Sequence, residues 1–272
     1  SMVLEPNSQI ELDALSNFEL NGMVDSTVRL NRGTVKTRVI KREPRSRFQT
    51  ITPSAVAAVR GTEYRVNVVD NSKQTDKPPT TLVEVYQGLV DVGAESITFP
   101  VPASFGIIAK QGQTLQEPVK LLEKPEFIQF EEQQTLHADS AGNGFLPNLI
   151  QWQAIELASA YQLNILADDK AISNNEQTVN TEKLLNSYRT NATQYHLKGL
   201  VLGCYQLSLR AIDTLGLHGL SAKKRLCLRQ EILAPQVNSR PLSSESDKQK
   251  IEIYWRESAD ATRYLVETAD TS

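Results

Sequence analysis

The most constraining feature of this chain is a side-chain alternation of period two that recurs along its length, with almost no competing helical period. Val83-Glu84-Val85-Tyr86 and Leu89-Val90-Asp91-Val92 alternate strictly, as do Ile10-Glu11-Leu12, Tyr64-Arg65-Val66-Asn67-Val68 and Tyr205-Gln206-Leu207-Ser208-Leu209. Alternation buries one face of a strand and hydrates the other, so it specifies β-structure. Gln87-Gly88 between the first two runs predicts a tight hairpin. Helical signals are confined to Thr181 to Tyr188, with Glu182, Lys183, Leu184 and Leu185, which reads as one turn within a loop. The apolar runs, such as Ala55 to Val59 and Phe105 to Ala109, are strand-sized and far below the ~18–20 residues that span a bilayer. The expected class is all-β.

The texture of the chain divides it into three. Asp70 to Thr81 is polar, with two prolines, and predicts a surface loop. Pro118 to Pro125 and the acidic, Gln-rich stretch after it place one boundary, and Leu233-Ala234-Pro235 places another. The expected units are 1–125, a β-rich roll or sandwich; 126–232, a β-sandwich; and 233–272, the start of a second sandwich.

The third unit is inferred from a repeat. Residues 150–166 and 253–269 align without a gap, pairing Trp152 with Trp255, Ala158 with Ala261 and Tyr161 with Tyr264 at a constant offset of 103 residues. That spacing suits an immunoglobulin-type sandwich of ~100 residues; coincidence between two hairpins is the alternative. Tyr205, just after Gly203, heads a strand as the tyrosine corner of a sandwich does. With these anchors, residues 127–232 resemble fibronectin type III domains. Trp152, Tyr161, Tyr205, Trp255 and Tyr264 are the expected sandwich core. A sandwich needs about seven strands, and residues 234–272 can supply about three. The natural chain is therefore expected to continue, and residues 234–272 to dock on another domain or on a second copy, or else to be poorly ordered.

Cys204 and Cys227, the two cysteines, flank the loop at Asp213 to Gly219 on opposite arms of one hairpin. Parity sets both on the outward face, opposite each other and within bridging reach. A disulfide would imply an oxidising compartment; two half-exposed thiols are the alternative.

Phe48 to Val66, FQTITPSAVAAVRGTEYRV, is the most specific run. It closely resembles the signature of the FecR domain. Val83 to Val92 and Ala109-Lys110-Gln111-Gly112-Gln113 resemble further elements of that family, and the resemblance covers about residues 3–116. Its opening segment lies mid-domain in longer relatives, which predicts that the natural chain also extends before residue 1. Thr52, Pro53, Ala55, Val59, Arg60, Gly61 and Thr62 are expected to be structural: small residues for close backbone approach, Val56 and Val59 for packing, Gly61 for a bulge or a positive φ. Arg60 would reach carbonyls or a carboxylate, with a ligand contact as the alternative. The resemblance implies either a transmembrane regulator that responds to an outer-membrane iron-siderophore transporter and controls a sigma factor, or an envelope protein joined to LysM modules and sandwich repeats.

Chemistry is sparse. The three histidines, His137, His196 and His218, are scattered, and no metal-ligand spacing, nucleophile elbow or phosphate loop occurs. Asp168-Asp169 is read as a solvated acidic pair, with calcium as the alternative. No catalytic, cofactor-binding or metal residues are expected. A net charge of −3 offers no general attraction to nucleic acid. Lys36, Arg38, Lys41, Arg42, Arg45 and Arg47 crowd one stretch, relieved only by Glu43. They could meet an anionic partner, or protect an edge strand and loop with charge. The leading expectation is a non-enzymatic periplasmic or cell-envelope scaffold contacting a protein or peptidoglycan. Signal transduction is the alternative.

Overall fold

The computed structural model describes residues 1–18, 23–39, 47–59, 61–69, 78–131, 133–138, 145–146, 149–168, 184–230, 236–242, 250–256 and 263–265. Every regular element among them is a strand.

The first sheet comprises β1 (Met2–Leu4), β2 (Gln9–Phe18), β3 (Met23–Arg38), β4 (Arg47–Ile51), β5 (Val56–Val59), β6 (Glu63–Val69), β7 (Thr80–Gln87), β8 (Leu89–Ala94), β9 (Ile97–Pro102), β10 (Phe105–Lys110) and β11 (Val119–Lys120). Its order is β11-β10-β7-β6-β3-β4-β5-β8-β9, with β1 and β2 also on β3. The long β3 serves both ends: its first part pairs with β2 and, in parallel, with β4, and its second part pairs with β1 and β6. The sheet therefore curls, and its inner face closes on Leu30, Val35, Tyr64, Val66, Val83, Val85, Val90, Val92, Val101 and Ile107, all essentially without solvent contact. Complete burial of such side chains stabilises by about 1.5–3 kcal/mol each.

The hairpin expected at Gln87-Gly88 does not form. β7 pairs with β6 and β10, and β8 with β5 and β9, so Gly88 is a corner between the two ends of the sheet. Alternation shows that both flanks are strands but not which neighbour each takes. Val56, expected to pack, is exposed on β5, while Val59 is buried.

The second part holds β12 (Phe127–Ile128), β13 (Gln133–Ala138), β14 (Phe145–Leu146), β15 (Leu149–Trp152), β16 (Ala160–Ala167), β17 (Leu184–Thr190), β18 (Gln194–His196), β19 (Gly203–Ile212) and β20 (Ala222–Gln230). A three-stranded sheet, β12-β15-β18, faces a six-stranded one, β14-β13-β20-β19-β16-β17. The core between them contains Ile150, Trp152, Tyr161, Leu163, Ile165, Tyr205, Leu207, Leu209, Leu226 and Leu228. The helical turn expected at Thr181 to Tyr188 is instead strand from Leu184 onward, because β16 supplies a ladder from Leu166↔Leu184 to Tyr161↔Thr190. Backbone pairing with a formed sheet overrides weak helix propensity. β21 (Val237–Leu242) and β22 (Lys250–Trp255) form a separate two-stranded ribbon.

Candidate functional site

The signature run builds a turn and a corner. At Thr52-Pro53-Ser54-Ala55 the Thr52 amide donates to the Ala55 carbonyl (2.8 Å), and the Thr52 hydroxyl both accepts from the Ala55 amide (2.9 Å) and donates to its carbonyl (2.8 Å). The buried Thr81 hydroxyl on β7 meets Thr52 Oγ1 at 2.8 Å and Ser54 Oγ at 2.6 Å, tying the turn to the neighbouring strand. Pro53 is exposed at the tip of this turn. Tyr64 carries its hydroxyl into the core to meet Thr50 Oγ1 at 2.8 Å, and burial pushes its ionisation well above the usual phenol range. Gly61 adopts φ +72° and Gly88 φ +85°, the left-handed region that only glycine enters freely. Thr62 is buried beneath Gly88. Arg60 lies outside the described residues.

The strongest concentration of buried charge lies on the outer face of this sheet. Alternation sends Val83 and Val85 inward, so Glu84 and Tyr86 point outward with Arg65 on the adjacent strand, in register at Arg65↔Glu84. Such a face should be hydrated, yet Glu84 and Arg65 are buried. The loop between β19 and β20 covers them. Asp213 shapes that loop by accepting, through Oδ1, the amides of Leu215 and Leu217, both at 2.9 Å. The next amide, of His218, donates to Glu84 Oε1 at 3.1 Å. Glu84 Oε1 also accepts from Arg65 Nη1 at 2.9 Å. From β19, Arg210 sets its guanidinium carbon 4.0 Å from the Tyr86 ring centre and donates Nη1 to the Gly219 carbonyl at 2.7 Å. Leu82, Leu121 and Leu217 seal one side, and the Leu220 amide donates to the Leu122 carbonyl at 2.9 Å.

Burial dominates the electrostatics of this joint. Desolvation raises Glu84 above the usual carboxylate range, with Arg65 as the largest opposing influence. Burial pushes Tyr86 up to about 12. Desolvation, reinforced by the guanidinium charges of Arg65, Arg210 and Arg189, holds His218 well below the usual imidazole range. Among the described residues, three sealed polar atoms, Arg65 Nε, Glu84 Oε2 and the Tyr86 hydroxyl, have no hydrogen-bond partner; Arg65 Nε is 3.6 Å from Glu5 Oε1. Leaving such groups unpaired costs about 1–3 kcal/mol each. The arrangement can join the curled sheet to the β19–β20 loop, and the unpaired atoms keep the cost of parting them low. The sequence reading counted Arg65, Glu84 and Tyr86 as strand alternation and left Arg210 and His218 without a role.

The other anticipated residues are dispersed. Cys204 and Cys227 form a disulfide between directly opposed positions of β19 and β20. As parity expects, both sulfurs lie on the face opposite the core residues Tyr205, Leu207, Leu226 and Leu228, and Cys227 is nonetheless fully buried there. The Tyr205 hydroxyl donates to the Val201 carbonyl at 2.7 Å, completing a tyrosine corner. Trp152 and Tyr161 meet edge-on at 5.5 Å, and Trp255 and Tyr264 repeat the pair at 5.5 Å. Trp255 and Tyr264 are only half-buried, however, because β21 and β22 have no facing sheet among the described residues; Ile251 and Ile253 are exposed beside them. Lys36 pairs with Glu63 at 3.2 Å, and Arg38 is exposed on the same strand. Lys41, Arg42 and Arg45 lie outside the described residues, as does the Arg47 side chain. Asp168 accepts from Arg225 Nε at 2.6 Å; Asp169 is not described.

A curled sheet docked by a buried ionic joint onto a disulfide-bonded sandwich defines an all-β, two-part module. Residues 1–91 match the model of the FecR protein family. No curated protein matches the sequence. Among solved structures, two of a candidate anti-sigma factor from Parabacteroides distasonis are each 17% identical, with TM-score 0.30, covering 44% of this chain and 58% of theirs. The extracellular domain of a candidate hybrid two-component system from B. thetaiotaomicron is 8% identical, with TM-score 0.24, covering 80% of this chain and 37% of that one. The chain thus spans just over half the length of the first of these structures.

Proposed function

We propose that this chain is a non-catalytic, extracytoplasmic signalling segment, in which the FecR domain receives a protein partner in the cell envelope and the sandwich carries the resulting displacement onward. The FecR match over residues 1–91 is the observation that supports this reading. The Cys204–Cys227 disulfide supports an oxidising location. The Glu84 joint supplies a route between the units, because a partner that shifts β6 or β7 moves the groups on which the His218 loop sits. The scaffold reading, with peptidoglycan as ligand, draws no comparable support.

Crosslinked capture of the chain from envelope extract, beside a sample pre-digested with a muramidase, tests the proposal. Recovery of an outer-membrane transporter or a membrane-anchored regulator, unchanged by digestion, is expected. Recovery of muropeptides, or of partners lost on digestion, would overturn it in favour of a wall-bound scaffold.

A further inference from the structure

β1 and β2 together form one edge of the curled sheet. Both run antiparallel to β3 and, among the described residues, pair with no other strand. Their far side therefore presents backbone N–H and C=O groups that no described strand takes up. The core face is open at the same place. Leu4, Ile10 and Leu12 stand opposite Val35, Leu30 and Val28, all three of them buried. Register thus turns this apolar row towards the core, yet Leu4 is 46% exposed and Leu12 56%. A core-facing row left in water lacks a neighbour on its outer side.

Charge selects the occupant. Residues 1–14 hold Glu5, Glu11 and Asp13 and no lysine or arginine. Asp13 pairs with Arg29 at 2.8 Å, whereas Glu11 meets the neutral amide of Asn31 at 2.7 Å. A second copy paired through the same edge would set acids beside acids. The register shift between Leu12 and Ala14 also bends the strand out of flat self-pairing. A strand with basic side chains on its outward face meets no such repulsion.

We propose that the β1–β2 edge docks an extended segment of a partner protein in which apolar and basic residues alternate. The segment adds as a further strand: its backbone takes up the free edge, its apolar side chains cover Leu4 and Leu12, and its basic ones face Glu11. This deepens the proposed function and rests on its premise that the first sheet receives a protein. The edge also reaches the buried joint. Val3 stands in register with Lys36, and Lys36 with Arg65, while Glu5, in the turn after β1, lies 3.6 Å from Arg65 Nε.

The test uses the whole chain and a synthetic peptide of about eight residues alternating valine and lysine, within the usual length of a strand. Matched peptides carry glutamate or serine in place of lysine. By fluorescence anisotropy the lysine peptide should bind about 10-fold more tightly than the glutamate peptide. It should slow hydrogen exchange in residues 2–4 and 9–14 and leave Leu207 and Leu209 on β19 unchanged. Leu12→Lys, at an exposed position, should weaken the lysine peptide by about 10-fold or more. Glu11→Lys should turn the preference towards the glutamate peptide; circular dichroism checks that both variants fold. Equal binding of the three peptides, or an unchanged preference in folded Glu11→Lys, would overturn the proposal. So would protection of residues 2–14 that rises with protein concentration alone, which would make a second copy the occupant. The peptide assay needs no envelope partner. Its failure beside muramidase-insensitive capture removes the edge and leaves the signalling reading; its success without that capture removes the reading and leaves the edge.

Discussion

Gly88 rests directly against Gly61: a Cβ placed on Gly88 would fall 2.8 Å from the Gly61 carbonyl oxygen. The two glycines belong to separate signature runs, and each marks a corner of the curled sheet. Gly88→Ala therefore meets both an unfavourable φ and backbone that cannot yield. Gly112 is a fair control, with φ +73° and nothing within 4 Å of its added Cβ. Gly112→Ala should cost about 1–2 kcal/mol from conformation alone. Gly88→Ala should cost about 1–3 kcal/mol more through overpacking. Urea midpoints of the two variants check the order; equal losses would mean that the corners do not press on each other.

Strand content was legible in the sequence because alternation is a local consequence of having one buried face. Pairing was not. Leu89 to Val92 alternates identically whether β8 returns beside β7 or crosses to β5, so Gly88 looked like a hairpin turn. The Tyr205 corner and the Trp152–Tyr161 pair were legible because rare aromatics stood at sandwich spacing. The joint was hidden for another reason. Glu84 lies on the face that alternation assigns to water, and its cover comes from His218, 134 residues away. No local pattern encodes that contact. Its one available trace was a loop whose Asp213, glycines and apolar Leu217 were more than a surface turn needs.

The Arg65–Glu84 pair should be costly to break and cheap to replace. Glu84→Ala leaves a buried guanidinium without its carboxylate, for an expected loss of about 3–5 kcal/mol. Arg65→Met alone strands the carboxylate and should be similarly damaging. Combining Arg65→Met with Glu84→Leu removes both charges together and should recover most of the loss. A double-mutant cycle by urea denaturation measures this. Simple additivity of the two single losses would show that the charges do not act as a pair.

Tyr86 should make the protein alkali-sensitive. Its pKa is pushed up to about 12 from the ordinary 10.0, chiefly by burial. Between those values the folded chain keeps the phenolic proton and the unfolded chain loses it. The unfolded state thus binds fewer protons, and stability falls as pH rises from about 10, levelling off above about 12. Two pKa units correspond to about 2.7 kcal/mol for this one group. Tyr64, raised by the same cause, adds its own fall over the same range, so the informative quantity is the difference between the wild type and Tyr86→Phe. That variant also removes a sealed hydroxyl without a partner, and near neutral pH it should be at least as stable as the wild type. Above pH 10 its advantage should widen by up to the stated amount, measured as urea midpoints across pH. Parallel curves for the two proteins would mean that Tyr86 is hydrated, and hence that the loop carrying His218 does not seal it.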